Sequence, residues 1–118
     1  MRAEQTAYVI TPGGVRRGRI EPTNVDRSTE RVREGRIQFR VQIENKGAEH
    51  VGHYQRARWY DAACVFEREA EASRVAKAAR ERAIRSGHPR YLQRPIDQIV
   101  VMMAVAMPAI GAEGRADG

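Results

Sequence analysis

Ile37, Phe39, Val41 and Ile43 alternate with Gln38, Arg40, Gln42 and Glu44. Because successive side chains on a strand point to opposite faces, residues 36–44 predict a half-buried strand with one apolar and one solvated face. Asn45-Lys46-Gly47 follows as a three-residue turn with Gly where a positive φ is wanted, so the chain is expected to return antiparallel over 48–60. The return alternates less cleanly. Val51, Ala57 and Trp59 share one face with His53 and Gln55, and Tyr54, Arg56, Arg58 and Tyr60 share the other. Burying four large apolar side chains gains about 1.5–3 kcal/mol each, while fixing each residue of the strand costs about 1–2 kcal/mol in backbone entropy. A lone hairpin therefore cannot stand, and a second layer is required.

A second hairpin is predicted upstream. Thr6–Thr11 is short, apolar and β-branched and runs into Pro12-Gly13-Gly14, which suits a type II turn with Pro second and Gly third. The return strand spans 15–21 and stops at Pro22, which lacks the N–H of a central strand. On it Arg17 and Arg19 share one face, and Arg16, Gly18 and Ile20 the other. Residues 23–34 are polar and charged without periodicity and read as a long loop, either mobile or a contact surface.

After Asp61 the period changes to that of a helix. Ala72, Ala76, Ala79 and Ala83 recur at spacings of four, three and four with Val75 beside them, and alanine favours helix intrinsically. Cys64-Val65-Phe66 can still belong to the sheet, with the helix starting near Glu67 and capped by Gly87 ahead of Pro89. The stripe is narrow and small, so it must dock on the sheet or pair with another helix. Residues 99–107 are unbroken apolar sequence between Pro95 and Pro108, too short for a membrane span of about 20 residues. Proline in a first turn and the Met-Met-Ala run argue helix there, Ile99-Val100-Val101 argues strand, and we take helix. The fold class expected is α+β: an antiparallel sheet of four or five strands curled toward a small barrel, one long Ala-rich helix and a short apolar C-terminal element. Residues 1–110 are read as one domain, and 111–118, small and polar, as a disordered tail.

Charge adds a direction to this picture. The net charge is +6, and residues 1–60 hold 12 basic against 7 acidic groups, so the excess lies on the sheet and favours acidic partners. If the strands lie side by side, their solvated faces collect Arg17, Arg19, Arg36, Arg40, Arg56 and Arg58, interleaved with Tyr54 and Tyr60. Guanidinium groups with aromatic rings are what a nucleic-acid platform uses, the charges meeting phosphates and the rings stacking on bases. Cys64 is the sole cysteine and excludes an intrachain disulfide, and no charged-then-apolar leader follows Met1, so a cytoplasmic location is expected.

Enzymatic chemistry finds little footing. His50 and His53 have opposite parity on a strand, so neither they nor His88 make a metal site. Glu67, Glu69 and Glu71, with Arg74, Lys77, Arg80, Arg82 and Arg85 further along, follow the helix dipole. Ser28, Ser73 and Ser86 lack a nucleophile elbow, and Pro12-Gly13-Gly14 lacks the Gly-Lys-Ser/Thr end of a P-loop. No enzyme activity, metal or cofactor is expected.

The succession Ala7-Tyr8-Val9-Ile10-Thr11, then Gly13-Gly14-Val15-Arg16-Arg17-Gly18-Arg19-Ile20, a strand pair, and an Ala-x-x-x-Ala helix from Ala72 to Ile84 resembles short phage- and prophage-encoded proteins of unknown function. Those join a small barrel of the Src-homology type to a C-terminal helix. The resemblance covers about residues 6–86 and leaves out 95–107. It implies a mobile-element accessory protein that binds nucleic acid or a nucleoprotein complex, or else blocks a host defence complex as anti-CRISPR proteins do. The Ala stripe of Ala72, Ala76, Ala79 and Ala83, together with 99–107, offers more apolar surface than one small sheet covers, so a homodimer is expected.

Overall fold

The computed structural model describes residues 1–44 and 56–106. The expected turn at Asn45-Lys46-Gly47, the positions of His50, His53 and Tyr54, and the C-terminal tail lie outside those residues. The fold is α+β, a curled antiparallel sheet followed by helices. The elements run β1 (Thr6–Thr11), β2 (Gly14–Ile20), β3 (Glu30–Arg33), β4 (Arg36–Ile43), β5 (Arg58–Asp61), a 3-10 turn (Ala62–Cys64), β6 (Val65–Phe66), α1 (Glu69–Ser86), α2 (Pro89–Leu92) and α3 (Ile96–Ala106).

β4 organises the sheet. Its 41–43 stretch pairs with β2 and its 36–39 stretch with β3, while β5 pairs with 38–41. β5 overlaps both of the others in register, so β2 and β3 must lie end to end along one edge of β4. Among the described residues the sheet is thus six strands by count and five wide, with β1 between β2 and β6. Residues 21–29 leave the line between β2 and β3 and come back to it: Arg40 O accepts from Glu21 N at 3.0 Å, and Arg40 N donates to Thr29 O at 3.0 Å.

Residues 23–34, expected as a single loop, therefore divide into an excursion and a strand. The excursion is laced internally. Thr23 N donates to Ser28 O at 2.9 Å, Thr23 Oγ1 to Asp26 Oδ1 at 2.6 Å, and Ser28 N to the same Asp26 oxygen at 3.1 Å. Hydrogen bonds from Thr23 and Ser28 hold the exposed Asp26 carboxyl down at about 2. β3 then enters β4 through Glu34-Gly35, with φ of 53° and 74°. Two positive φ values at the centre of a two-residue hairpin are the signature of a type I′ turn, and Glu is an unusual residue for the first of them. The other two-residue hairpin, Pro12-Gly13, also departs from expectation. Positive φ falls on Gly14 (111°) and not on Gly13, so the turn is not type II.

Alternation on β4 is as predicted, and it lines the inner side of the curled sheet. Ala7, Val9, Ile20, Val41, Ile43 and Val65 form one buried cluster, flanked by Phe39 and Tyr60. At Gly18 the strands come so close that a Cβ would stand 2.7 Å from Gln42 O and 2.8 Å from a Val41 methyl; only glycine fits there. Ile37 has the predicted parity, yet it and its partner Val32 stay 48% and 72% exposed, because the β3–β4 hairpin runs past the end of the core.

The second core lies on the opposite, outer face of the sheet. Ile10, Cys64, Ala72, Ala79, Ala83, Ile96, Ile99 and Val100 form it, with Tyr8, Val15 and Phe66 packed against it. α1 begins at Glu69, close to the expected Glu67, and ends on Gly87, whose left-handed φ of 60° lets its N–H reach the carbonyls of Ala83 and Ile84. Residues 96–106 are helix, as expected. The Ala stripe is occupied within the chain: Ala72 is fully buried and Ala79 and Ala83 nearly so, while Ala76 is partly buried on the same cluster. This corrects the reading of that stripe as the surface for a second copy. Small side chains there let α1 lie close to β1 and α3.

Candidate functional site

The helices cover only part of the outer face. They sit over Tyr8, Ile10 and Val15 on β1 and β2. Across β2, β4, β3 and β5 the same face is polar, as the register dictates: Arg19 is opposite Gln42, Arg31 opposite Gln38, Arg33 opposite Arg36, and Arg40 opposite Trp59.

Of the residues expected on this platform, Arg17, Arg19, Arg36 and Arg40 stand on it. Arg17 is the freest, its side chain 58% exposed and 3.7 Å from the Glu44 carboxylate. Arg19 meets Glu21 Oε2 at 3.3 Å and Gln42 Oε1 at 3.1 Å. Arg36 donates to both oxygens of Asp61 at 2.8 and 2.9 Å, which raises its own pKa. Burial pushes the Asp61 carboxyl up, but hydrogen bonds from Arg36 and the Ala63 amide outweigh it and hold the group below its ordinary value. Arg40 donates to the carbonyls of Glu21 at 3.3 Å and Pro22 at 2.6 Å. Its position clamps the excursion to the sheet.

The remaining expectations change. Arg56 is exposed but precedes β5, and Arg58 is exposed opposite Val41, on the other face from Arg40. Tyr60 lies opposite Phe39 and packs on the inner core of the curled sheet, where burial raises its phenol pKa. It was expected on the solvated face and Trp59 on the apolar one; the register reverses both. A four-residue strand reading Arg-Trp-Tyr-Asp carries no parity signal, since either ring tolerates a half-buried place. What fixes the parity is pairing with β4.

Trp59 and Arg31 are thus the residues that sequence reasoning missed. The Arg31 guanidinium carbon lies 4.5 Å from the indole centroid, and its Nε donates to Gln38 Oε1 at 2.8 Å. Such a cation–π contact at a half-exposed site contributes about 0.5–1 kcal/mol. Among the described residues, the outer face of the sheet carries Arg17, Arg19, Arg31, Arg33, Arg36 and Arg40 against Glu21, Glu44 and Asp61, so arginines outnumber carboxylates there.

Cys64 is buried, with Sγ 3.6 Å from Asp97 O, and burial, aided by Asp61 and Asp97, pushes its thiol up to about 12; it is protonated and not a nucleophile at neutral pH. Among the described residues no group of three or more His, Cys, Asp or Glu side chains is placed to hold a metal, and His88 Nδ1 accepts from Arg90 N at 3.1 Å. An apolar groove of about 440 Å³ runs between α1 and α3, lined by Phe66, Val75, Ala78, Val100 and Met103 with Arg82 at its side. No helix among the described residues is long and apolar enough to cross a membrane. Neither a protein-family model, nor a curated protein, nor a solved structure matches the chain.

Proposed function

We propose that this is a non-enzymatic binding protein, of mobile-element origin as the resemblance implies, that engages nucleic acid or a nucleoprotein complex through the open half of the outer sheet face. The observation that carries the reading is the placement of the only tryptophan, Trp59, on a face where, among the described residues, guanidinium groups outnumber carboxylates. Stacking of a base on an aromatic side chain contributes about 1–3 kcal/mol, and phosphates supply the charge that the surplus arginines lack. Arg17 and Arg33 are the members best exposed for phosphate contact; Arg36 and Arg40 hold the sheet together and set its shape.

Salt tests the reading. Contact with about four phosphates of duplex DNA gives a slope of log affinity against log salt near −3.6, about a 150-fold loss between 50 and 200 mM salt. Arg17→Ala and Arg33→Ala should each make the slope shallower by about one unit and act alike on unrelated sequences. Binding that stays undetectable at low salt eliminates the proposal and favours the protein-directed inhibitor of a host defence complex, whose affinity would depend far less on salt. A homodimer is a second reading, carried by the groove between α1 and α3 as a seat for a second copy. A monomer mass by light scattering at high micromolar concentration removes it.

A further inference from the structure

We propose that the face of the Trp59 ring now covered by Arg31 is a stacking position for one unpaired base, so that this surface selects single-stranded over duplex nucleic acid. The inference rests on the nucleic-acid reading above and deepens it. Three features of the sheet lead to it. The register holds Trp59 on the open half of the outer face, opposite Arg40 and away from the helices. The group over the indole is a guanidinium with its carbon 4.5 Å from the centroid, so this face of the ring already receives a side chain in a π contact. The cover is also a replaceable one: Arg31 is a long side chain from a four-residue strand, and its Nε makes a single hydrogen bond, to Gln38 Oε1.

An entering base takes the ring face, and the displaced Arg31 guanidinium turns to the adjoining phosphate. The exchange keeps a π contact on the indole and converts a cation–π contact into a charge-assisted one. Arg33, two residues along the same face of β3, and Arg17 across β2 continue the positive track for the backbone. A duplex can use the track but not the ring, because its base faces are closed within the stack. Every base has a π-face, so the position does not discriminate sequence, and single-stranded DNA and RNA offer it the same chemistry.

Trp59 is the only tryptophan in the chain, which makes its fluorescence a direct reporter. The full chain is titrated at about 50 mM salt with oligothymidylate, oligouridylate and a mixed-sequence duplex, each about 12 units long. Quenching is expected with at least one of the single strands, and which of them quenches identifies DNA or RNA as the source. The duplex binds without quenching. Trp59→Ala should lower single-strand affinity about 10-fold or more and leave duplex affinity within about twofold. Trp59→Phe, which keeps a ring on the strand, should retain single-strand affinity within about threefold, so a folding defect of the alanine variant does not decide the matter. Single-strand binding without quenching, or equal quenching by the duplex, overturns the stacking position and leaves the nucleic-acid reading standing. Absence of binding by all three probes removes both.

Discussion

One face of one sheet has two different surroundings in this protein. Where β1 and β2 carry Tyr8, Ile10 and Val15 outward, α1 and α3 cover them and a second core forms. Where β2, β4 and β5 carry Arg19, Gln42, Arg40 and Trp59 outward, the core under the described helices does not include them. The backbone is the same pleated surface in both halves; what differs is whether the outward positions can be taken out of water. β1 is apolar in succession, Ala7-Tyr8-Val9-Ile10, and is buried from both sides, as a strand under helices requires. β4 alternates and is buried from one. The covered half contributes a second core and the open half keeps its polar side chains in water, with Arg17, opposite Tyr8, on the border between them.

The largest effect should come from placing the same charge in the two halves. Ala72→Glu puts a carboxylate at a fully buried position of the outer core, where an uncompensated charge costs about 3–5 kcal/mol. Arg17→Glu, at an exposed position, should stay within about 0.5 kcal/mol. Thermal unfolding of the two variants measures the contrast, and equal losses would break it.

A smaller effect joins β4 to β5. Asp61→Asn removes the charge that receives both Arg36 bonds and should cost about 1–2 kcal/mol, discounted for the partial exposure of Arg36. The folded pKa of Asp61 is depressed, so its contribution is present in full above the unfolded carboxylate range. It is lost as pH falls through the folded value. The wild-type chain should therefore lose stability below about pH 4, and Asp61→Asn should lose less over that interval. Denaturant midpoints at pH 7 and pH 3 compare them.

The smallest effect concerns the type I′ turn. Glu34 sits at φ 53°, a conformation that Asn tolerates better, so Glu34→Asn should raise stability by about 0.5 kcal/mol without touching either half of the outer face. An unchanged or lower midpoint would show that Glu34 is not strained there.

Periodicity alone determined much of this fold. The alternation of Ile37, Phe39, Val41 and Ile43 specified a half-buried strand, the Ala stripe specified the buried side of α1, and Gly87 its end, because these are local consequences of a repeat of two or 3.6 residues. The grouping of Arg17, Arg19, Arg36 and Arg40 on one face was legible for the same reason. Other features depended on partners distant in sequence. β3 has one apolar residue in four, and its strand conformation comes from pairing with β4. Trp59 faces outward and Tyr60 inward because Arg40 and Phe39 are their partners in the ladder, and nothing within Arg-Trp-Tyr-Asp orients that choice. Only the tertiary structure could show that Arg36 and Arg40 are held by Asp61 and by the carbonyls of Glu21 and Pro22. Parity places a side chain on a face, whereas its hydrogen-bond partner is decided by which other segment arrives beside it.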